Sequence, residues 1–251
     1  MLDSLKHKIA AWMGKQPCIK LFVRHCYASD ASGHKERFDG FSRERCYQNL
    51  IQTIDASDVD VTFFLDMARA HSSKHFLKEQ QRFPVIDIHA GAEGASFLAM
   101  LDYVLEQKMD PETIVYFLED DYLHKPGWLP ILKEGFSIPS IDYVTLYDHK
   151  DKYALAEYKN LHSRIFHTKS CHWRTTPSTT NTYAMRFETL KRDAAIHRAY
   201  SEGVAITKDH AKFTALTARG AILISSIPGY ATHAEPAFAS PCTDWQSYFK
   251  D

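Results

Sequence analysis

The chain has 251 residues, of which 45% are hydrophobic and 24% are charged, and its formal net charge is −1. These proportions are typical of a globular protein, and the near-neutral balance excludes a general electrostatic affinity for nucleic acid. No apolar run is long enough to cross a membrane, and no signal-peptide segment is recognisable. The five cysteines contain no Cys-x-x-Cys pair. We therefore expect a reducing, cytoplasmic location, without a disulfide framework or a thiolate zinc site.

The N-terminal segment, residues 1–18, is predicted to be a helix. Its apolar side chains fall on roughly one helical face: Leu2, Leu5, Ile9, Trp12 and Met13. One interpretation is that this face packs on its own domain or on a partner subunit. The alternative is a peripheral membrane contact through residues 2–14, because a tryptophan beside lysines suits a membrane interface.

From residue 19 onward, strand-like and helix-like segments alternate. Strands are predicted at 19–26, 60–66, 84–88, 113–118 and 141–147, with helices at 43–56, 72–80, 91–106 and 128–135. After residue 150 the pattern is less regular, with strands at 181–187 and 221–225. The alternation predicts an α/β fold, in which a mainly parallel central sheet carries helices on both faces.

Polar residues stand where the predicted strands end. In open parallel sheets, ligands bind beyond the carboxyl ends of the strands. The candidates at these ends are Arg24, His25, Asp66, His89 and the run Glu119-Asp120-Asp121. We expect them to lie together around one site.

The run Glu119-Asp120-Asp121 is the sharpest local signal, since it follows a wholly apolar strand. Three adjacent carboxylates repel one another unless positive charge lies among them. Mg²⁺ and Mn²⁺ prefer carboxylate oxygens and bind diphosphates. Strand alternation would turn Glu119 and Asp121 to one side and Asp120 to the other. We therefore predict Glu119 and Asp121 as metal ligands, with a solvated acidic turn as the alternative.

The segment 116–122, Tyr-Phe-Leu-Glu-Asp-Asp-Tyr, resembles the Asp-x-Asp region of GT-A-fold glycosyltransferases, although it reads Glu-Asp-Asp. This resemblance implies a single GT-A-like (Rossmann-like) domain, related to family 2-like members, and a Mn²⁺- or Mg²⁺-dependent enzyme. Its donor would be a nucleotide-diphosphate sugar, and its acceptor a hydroxyl of a saccharide or glycolipid. Asp121 is the favoured metal ligand, and Asp120 is assigned to the nucleotide.

The resemblance also implies a donor pocket within residues 19–135. Arg24 and His25 would meet the nucleotide base, and Asp66 would accept a ring N–H from it. Gly91 and Gly94 would let a phosphate approach the free N–H groups of a helix start. Taken singly, each of these residues also has a plain structural interpretation, as an ion-pair residue, a cap or a turn glycine.

Residues 136–251 would form the acceptor half. Asp209 resembles the family acid that opens a helix below the acceptor, and this resemblance predicts a catalytic base. The alternative is a plain acidic residue at a helix start. In either case the helix dipole would lower the pKa of Asp209. His233 resembles a late histidine ligand of the metal, with an ordinary loop histidine as the alternative. The polar stretch 169–180 is interpreted as an acceptor or diphosphate loop in which Trp173 stacks on a sugar, or as a plain surface loop.

Three other functions compete with sugar transfer. A nucleotidyltransferase on a related fold would carry a glycine-rich basic loop after the first strand, but residues 28–35 contain one glycine. A metallohydrolase is suggested by residues 85–89, which lack the first histidine of the usual pair. A non-catalytic carbohydrate-binding module is the third alternative.

Overall fold

The structure is a computed structural model, which describes residues 18–27, 35–54, 58–70 and 74–250. The segment considered for membrane contact, residues 2–14, lies outside the described residues. Among those described, none of the helices combines the length and apolar composition that a membrane crossing requires. The cytoplasmic location stays a prediction.

Nine strands form one sheet in the order β3-β2-β1-β4-β9-β6-β10-β8-β7, and β5 pairs with β11 in a small second sheet. The strand bounds are β1 Ile19–Cys26, β2 Val59–Asp66, β3 Val85–Ile88, β4 Ile114–Glu119, β5 Tyr122–His124, β6 Tyr143–Thr145, β7 Ile165–His167, β8 His172–Thr175, β9 Tyr183–Arg186, β10 Leu223–Ile227 and β11 Ala231–His233. Because β9 lies between β4 and β6, the two predicted halves of the chain share one continuous sheet.

Helices cover both faces of the large sheet. Their bounds are α1 Arg43–Thr53, α2 Phe76–Glu79, α3 Glu93–Glu106, α4 Trp128–Gly135, α5 Asp151–Ala154, α6 Phe187–Ala199 and α7 Asp209–Ala218. One core contains Tyr47 of α1 and Trp128 of α4, and the other contains Phe97 of α3 and Phe213 of α7. The predicted α/β class with helices on both faces is confirmed.

The sheet is mixed rather than mainly parallel. Four neighbouring pairs are parallel, namely β1–β2, β2–β3, β1–β4 and β6–β10. The other four are antiparallel, namely β4–β9, β6–β9, β8–β10 and β7–β8. Parallel pairing needs a long crossover, whereas the short connection 168–171 between β7 and β8 permits only a hairpin. The prediction of a mainly parallel sheet therefore holds only for the first half of the chain.

The stretch 169–180 is not a surface loop. It contains β8, and Trp173 within it is 0% exposed, with its indole N–H donating to Thr168 Oγ1 over 3.1 Å. Arg174 is buried too, and its Nη2 lies 2.9 Å from Asp148 Oδ1. The polar composition suggested solvent, but this pairing satisfies the buried charge. Trp173 therefore cannot stack on a sugar.

The parallel register aligns the ends of the first strands. Cys26 at the end of β1 lies opposite Asp66 at the end of β2, and Arg24 lies opposite Glu119 of β4. Side chains 114–118 of β4 are almost fully buried, as expected of a central strand. The predicted gathering of polar residues at this edge of the sheet is confirmed for these strands.

Gly94 lies in the first turn of α3, where that helix contacts the segment after α6. A Cβ atom at this position would lie 2.4 Å from the carbonyl oxygen of Val204 and 2.6 Å from that of Ser201. The backbone N–H of Gly94 donates to Ala205 O over 3.3 Å. The absence of a side chain thus serves close packing between two parts of the protein backbone.

We predict that Gly94→Ala lowers the free energy of unfolding by about 1–3 kcal/mol, because backbone atoms must move to admit the methyl group. Urea denaturation measures the change. The control is Ala95→Ser, at the exposed next position of the same helix. Equal stability of the two variants would show that segment 201–205 can shift at no cost.

Candidate active site

A cleft of about 560 Å³ opens at the carboxyl ends of β1, β2 and β4. This volume is in the range of small-molecule sites. Of the residues predicted to form the site, these line the cleft: Arg24, His25, Asp66, Gly91, Glu119, Asp120, Asp121, Asp209 and His233. Gly94 and His89 are not among the lining residues. The tertiary structure therefore brings together residues from both halves of the chain.

Each acid of the 119–121 run contacts a different arginine. The contacts are Glu119 Oε1 with Arg24 Nη2 at 3.1 Å, Asp120 Oδ2 with Arg43 Nε at 2.9 Å, and Asp121 Oδ2 with Arg37 Nη2 at 2.8 Å. The sequence predicts positive charge among these carboxylates, with a divalent cation as its source. Positive charge is present, but guanidinium groups supply it, so charge balance does not by itself require a metal.

β4 ends at Glu119, and Asp120 and Asp121 form a turn before β5. Strand alternation therefore does not extend to Asp121, which differs from the expectation. Asp120 Oδ2 also accepts the backbone N–H of Cys26 over 3.0 Å, which ties the turn to the end of β1. Burial raises the pKa of Glu119 against the opposing effect of Arg24. The Glu119 carboxylate is thus engaged by Arg24 rather than left for a metal.

Asp121 and His233 meet inside the cleft. Antiparallel pairing of β5 with β11 aligns Tyr122 with His233, which leaves His233 Nε2 2.9 Å from Asp121 Oδ2. Glu235 Oε2 lies 3.2 Å from the other ring nitrogen, Nδ1. Burial alone would raise the pKa of Asp121, but His233 and Arg37 hold it below its usual range. Burial alone would lower the pKa of His233, but Asp121 and Glu235 raise it.

Asp121 and His233 are the side chains of this cleft that could hold a divalent cation together with substrate oxygens. Within the described ranges, no group of three or more His, Cys, Asp or Glu side chains is placed to bind a metal. Mg²⁺ sites that act on phosphates, however, commonly use one or two carboxylates and complete their shell with substrate oxygens and water. Asp121 and His233 would be the protein ligands, and Glu235 would orient the imidazole from behind. Glu119 and Asp120 face Arg24 and Arg43 instead.

Asp66 organises two loops. Its Oδ1 accepts the backbone N–H groups of Ala68 and Ala90 at 3.0 and 3.1 Å, and its Oδ2 accepts that of Gly91 at 2.9 Å. A carboxylate offers about four lone-pair positions, so one remains for a ligand. Gly91 has a φ of +71°, which favours glycine at this turn. The predicted contact between Asp66 and a nucleotide base stays a prediction.

His25 lies at the base of the cleft, behind Asp120. Its ring packs 5.6 Å from both Phe63 and Phe76, and burial, together with His75 and Arg43, lowers its pKa to about 3. Nδ1 lies 3.8 Å from Asp120 Oδ2 and has no hydrogen-bond partner within the part of the chain that the structure describes. His25 therefore remains neutral at physiological pH.

A buried network links the acidic run to Asp209. Arg24 Nη2 lies 3.6 Å from Glu93 Oε1, and that oxygen accepts hydrogen bonds from Asn181 and Thr207 at 2.8 and 2.7 Å. Asn181 Oδ1 in turn accepts from Lys212 Nζ over 2.6 Å. These residues come from β1, α3, α7 and the loops that contain Asn181 and Thr207. The network fixes the relative positions of the two ends of the cleft.

Asp209 is the first residue of α7 and is held by Lys212. Lys212 is 0% exposed, and its Nζ donates to Asp209 Oδ1 over 2.8 Å. Burial raises the pKa of Asp209, although Lys212 opposes the shift. The sequence argument expected the helix dipole to lower this pKa. Desolvation is the larger effect because the carboxylate faces the interior of the cleft rather than bulk solvent.

Five residues of this site were absent from the sequence-based prediction: Arg37, Arg43, Glu93, Asn181 and Lys212. They interact with residues at least 26 positions away, except Lys212 with Asp209. A partial signal existed for Lys212, because an acid at a helix start followed three residues later by lysine indicates an intrahelical ion pair. The other four follow only from tertiary structure.

We predict that Lys212→Met lowers the free energy of unfolding by about 1–3 kcal/mol, because it leaves the Asp209 carboxylate without its partner. Lys208→Met, at the exposed position before the helix, is the control. Adding Asp209→Asn to Lys212→Met should restore part of the loss. No recovery in the double variant would show that Lys212 acts only through Asn181.

No protein-family model matches this sequence. Comparison with curated proteins likewise finds no match. The function must therefore be argued from the geometry of the cleft and from the residues that line it.

Proposed function

We propose that this protein is a metal-dependent glycosyltransferase of GT-A-like fold that uses a nucleotide-diphosphate sugar as donor. The observation that carries the proposal is the pair Asp121–His233, backed by Glu235, at the end of the central strand β4. It lies in the same cleft as Asp209. A two-ligand site of this kind suits a cation shared with a diphosphate.

Four lysine and arginine side chains line the cleft, namely Arg24, Lys35, Arg43 and Arg69, together with seven carboxylates. Arg24 and Arg43 pair with Glu119 and Asp120, and Lys35 Nζ lies 3.7 Å from Glu235 Oε2. Gly91, Ala92 and Glu93, at the start of the helix α3, also line the cleft. A bound divalent cation would act as a Lewis acid toward the leaving diphosphate. Because carboxylates outnumber the lysine and arginine side chains here, the donor diphosphate would depend on that cation for charge balance.

Asp209 is proposed as the base. Its carboxylate takes the proton of the acceptor hydroxyl while the hydroxyl oxygen bonds to the anomeric carbon of the donor sugar. The bond from that carbon to the diphosphate oxygen breaks, and its electron pair leaves with the nucleoside diphosphate. Attack opposite to the leaving group inverts the anomeric centre. Lys212 holds Oδ1, which keeps the carboxylate oriented for this proton transfer.

Asp121→Asn should abolish the gain in nucleoside diphosphate affinity that Mn²⁺ provides, because an amide is a weak ligand for a hard cation. Calorimetry with UDP, GDP and ADP, each with Mn²⁺ and with EDTA, measures the gain. The control is Asp102→Asn, an acid paired with Arg198 on the exposed side of α3. Full retention of the Mn²⁺ effect in Asp121→Asn would refute the proposed metal site.

Asp209→Asn should lower turnover of the nucleotide sugar by about 10²–10⁴-fold, the usual effect of losing a general base, while nucleoside diphosphate affinity stays the same. Because burial raises the pKa of Asp209, wild-type turnover should fall with decreasing pH at values above the ordinary aspartate range of about 3.9. A rate–pH profile and calorimetry on the same variant check both statements. Normal turnover would make Asp209 a structural residue.

A further inference from the structure

Four aromatic side chains run in a row along one wall of the cleft. They are Tyr122, Tyr147, His149 and Phe238, and successive ring centroids lie 5.5, 4.6 and 5.5 Å apart. We call this group the aromatic row. Its inner end lies beside the predicted metal position, because the Tyr122 ring is 5.2 Å from that of His233. The row thus leads outward from the proposed reaction centre.

Hydrogen bonds hold the row in place. Tyr147 donates its hydroxyl proton to Phe238 O over 2.8 Å, and the Tyr122 hydroxyl lies 2.6 Å from Thr180 Oγ1. His149 Nδ1 accepts the backbone N–H of Asp151 over 3.2 Å. Tyr122 and Tyr147 are buried, whereas His149 and Phe238 are half-buried, so only the outer two rings offer surface to a ligand. A ligand would meet a preorganised platform.

We propose that His149 and Phe238 form the acceptor subsite and that this subsite takes an uncharged saccharide ring. The inference rests on the proposed function, because it names the acceptor for the same cleft. Aromatic faces carry partial negative charge and attract the slightly positive C–H groups on one face of a sugar.

The other lining groups favour a sugar over a lipid or an anion. Glu235 and Asp209 line the same cleft, and their carboxylates can accept hydrogen bonds from hydroxyl groups. A lipid chain would cover these carboxylates without offering them hydrogen bonds, which is costly, and an anionic acceptor would be repelled by them. Ile206, which is 54% exposed and also lines the cleft, adds an apolar contact for the ring.

The test replaces each aromatic ring by leucine, which removes the aromatic face and leaves an apolar side chain. Phe238→Leu and His149→Leu are compared with Phe166→Leu, a half-buried aromatic residue of β7 outside this cleft. The nucleotide sugar that the wild-type protein hydrolyses fastest is the donor, and methyl glycosides of glucose, galactose, mannose and N-acetylglucosamine are the acceptors. Both cleft variants should raise the KM for the glycoside by about 3- to 10-fold and change the donor KM far less.

Saturation-transfer NMR of the same glycosides on the wild-type protein reads saccharide binding without a donor. Glycoside binding that is lost in Phe238→Leu and kept in Phe166→Leu supports the subsite. If such binding is found but no nucleotide sugar binds, the proposed function fails and the saccharide subsite stands. An unchanged glycoside KM in both cleft variants, or no saturation transfer to any glycoside in the wild type, overturns the subsite.

Discussion

The architecture of the cleft depends on neutralising three adjacent carboxylates at the end of a buried strand. Taking such charges out of water is costly unless each finds a partner. The three partners come from three places: Arg24 lies on β1, Arg37 in the segment before α1, and Arg43 at the first position of α1. The N-cap Ser42, whose Oγ accepts the N–H of Arg45 over 3.0 Å, begins α1 just before Arg43. Charge balance therefore joins β1, β4 and α1.

The need for charge partners also gives the three acids of the 119–121 run different roles. Glu119 and Asp120 are engaged with Arg24 and Arg43, and they connect strands and loops that must stay together. Asp121 differs because it also meets His233, which belongs to the small sheet β5–β11. The proposed metal site uses this pair of side chains, because an imidazole and a carboxylate that meet directly could both serve as ligands. The proposed chemistry depends on that difference.

The buried network from Arg24 to Lys212 gives the cleft a rigid second wall. Removing any member would leave a partner unsatisfied in a low-dielectric region, so the network acts as a unit. It connects the strand-end acids with Asp209 through Glu93 and Asn181. The aromatic row lines the same cleft, and His149 and Phe238 supply its accessible aromatic surface. The network thus orients a carboxylate, while the row offers contact area.

Local sequence patterns were sufficient to predict the α/β class and most helices and strands of the first half, because hydrophobic periodicity is a property of neighbouring residues. They also predicted that Arg24, Asp66 and Glu119 gather at one edge of the sheet. They failed for β8, because the segment around Trp173 and Arg174 is polar in composition and was expected to be exposed. The ion pair of Arg174 with Asp148, which allows burial, is a tertiary contact. They also could not reveal that arginines neutralise the acidic run, or that His233 meets Asp121. Those contacts join residues 77 to 112 positions apart. Only the folded chain brings such pairs together, since long-range contacts depend on the packing of the whole sheet.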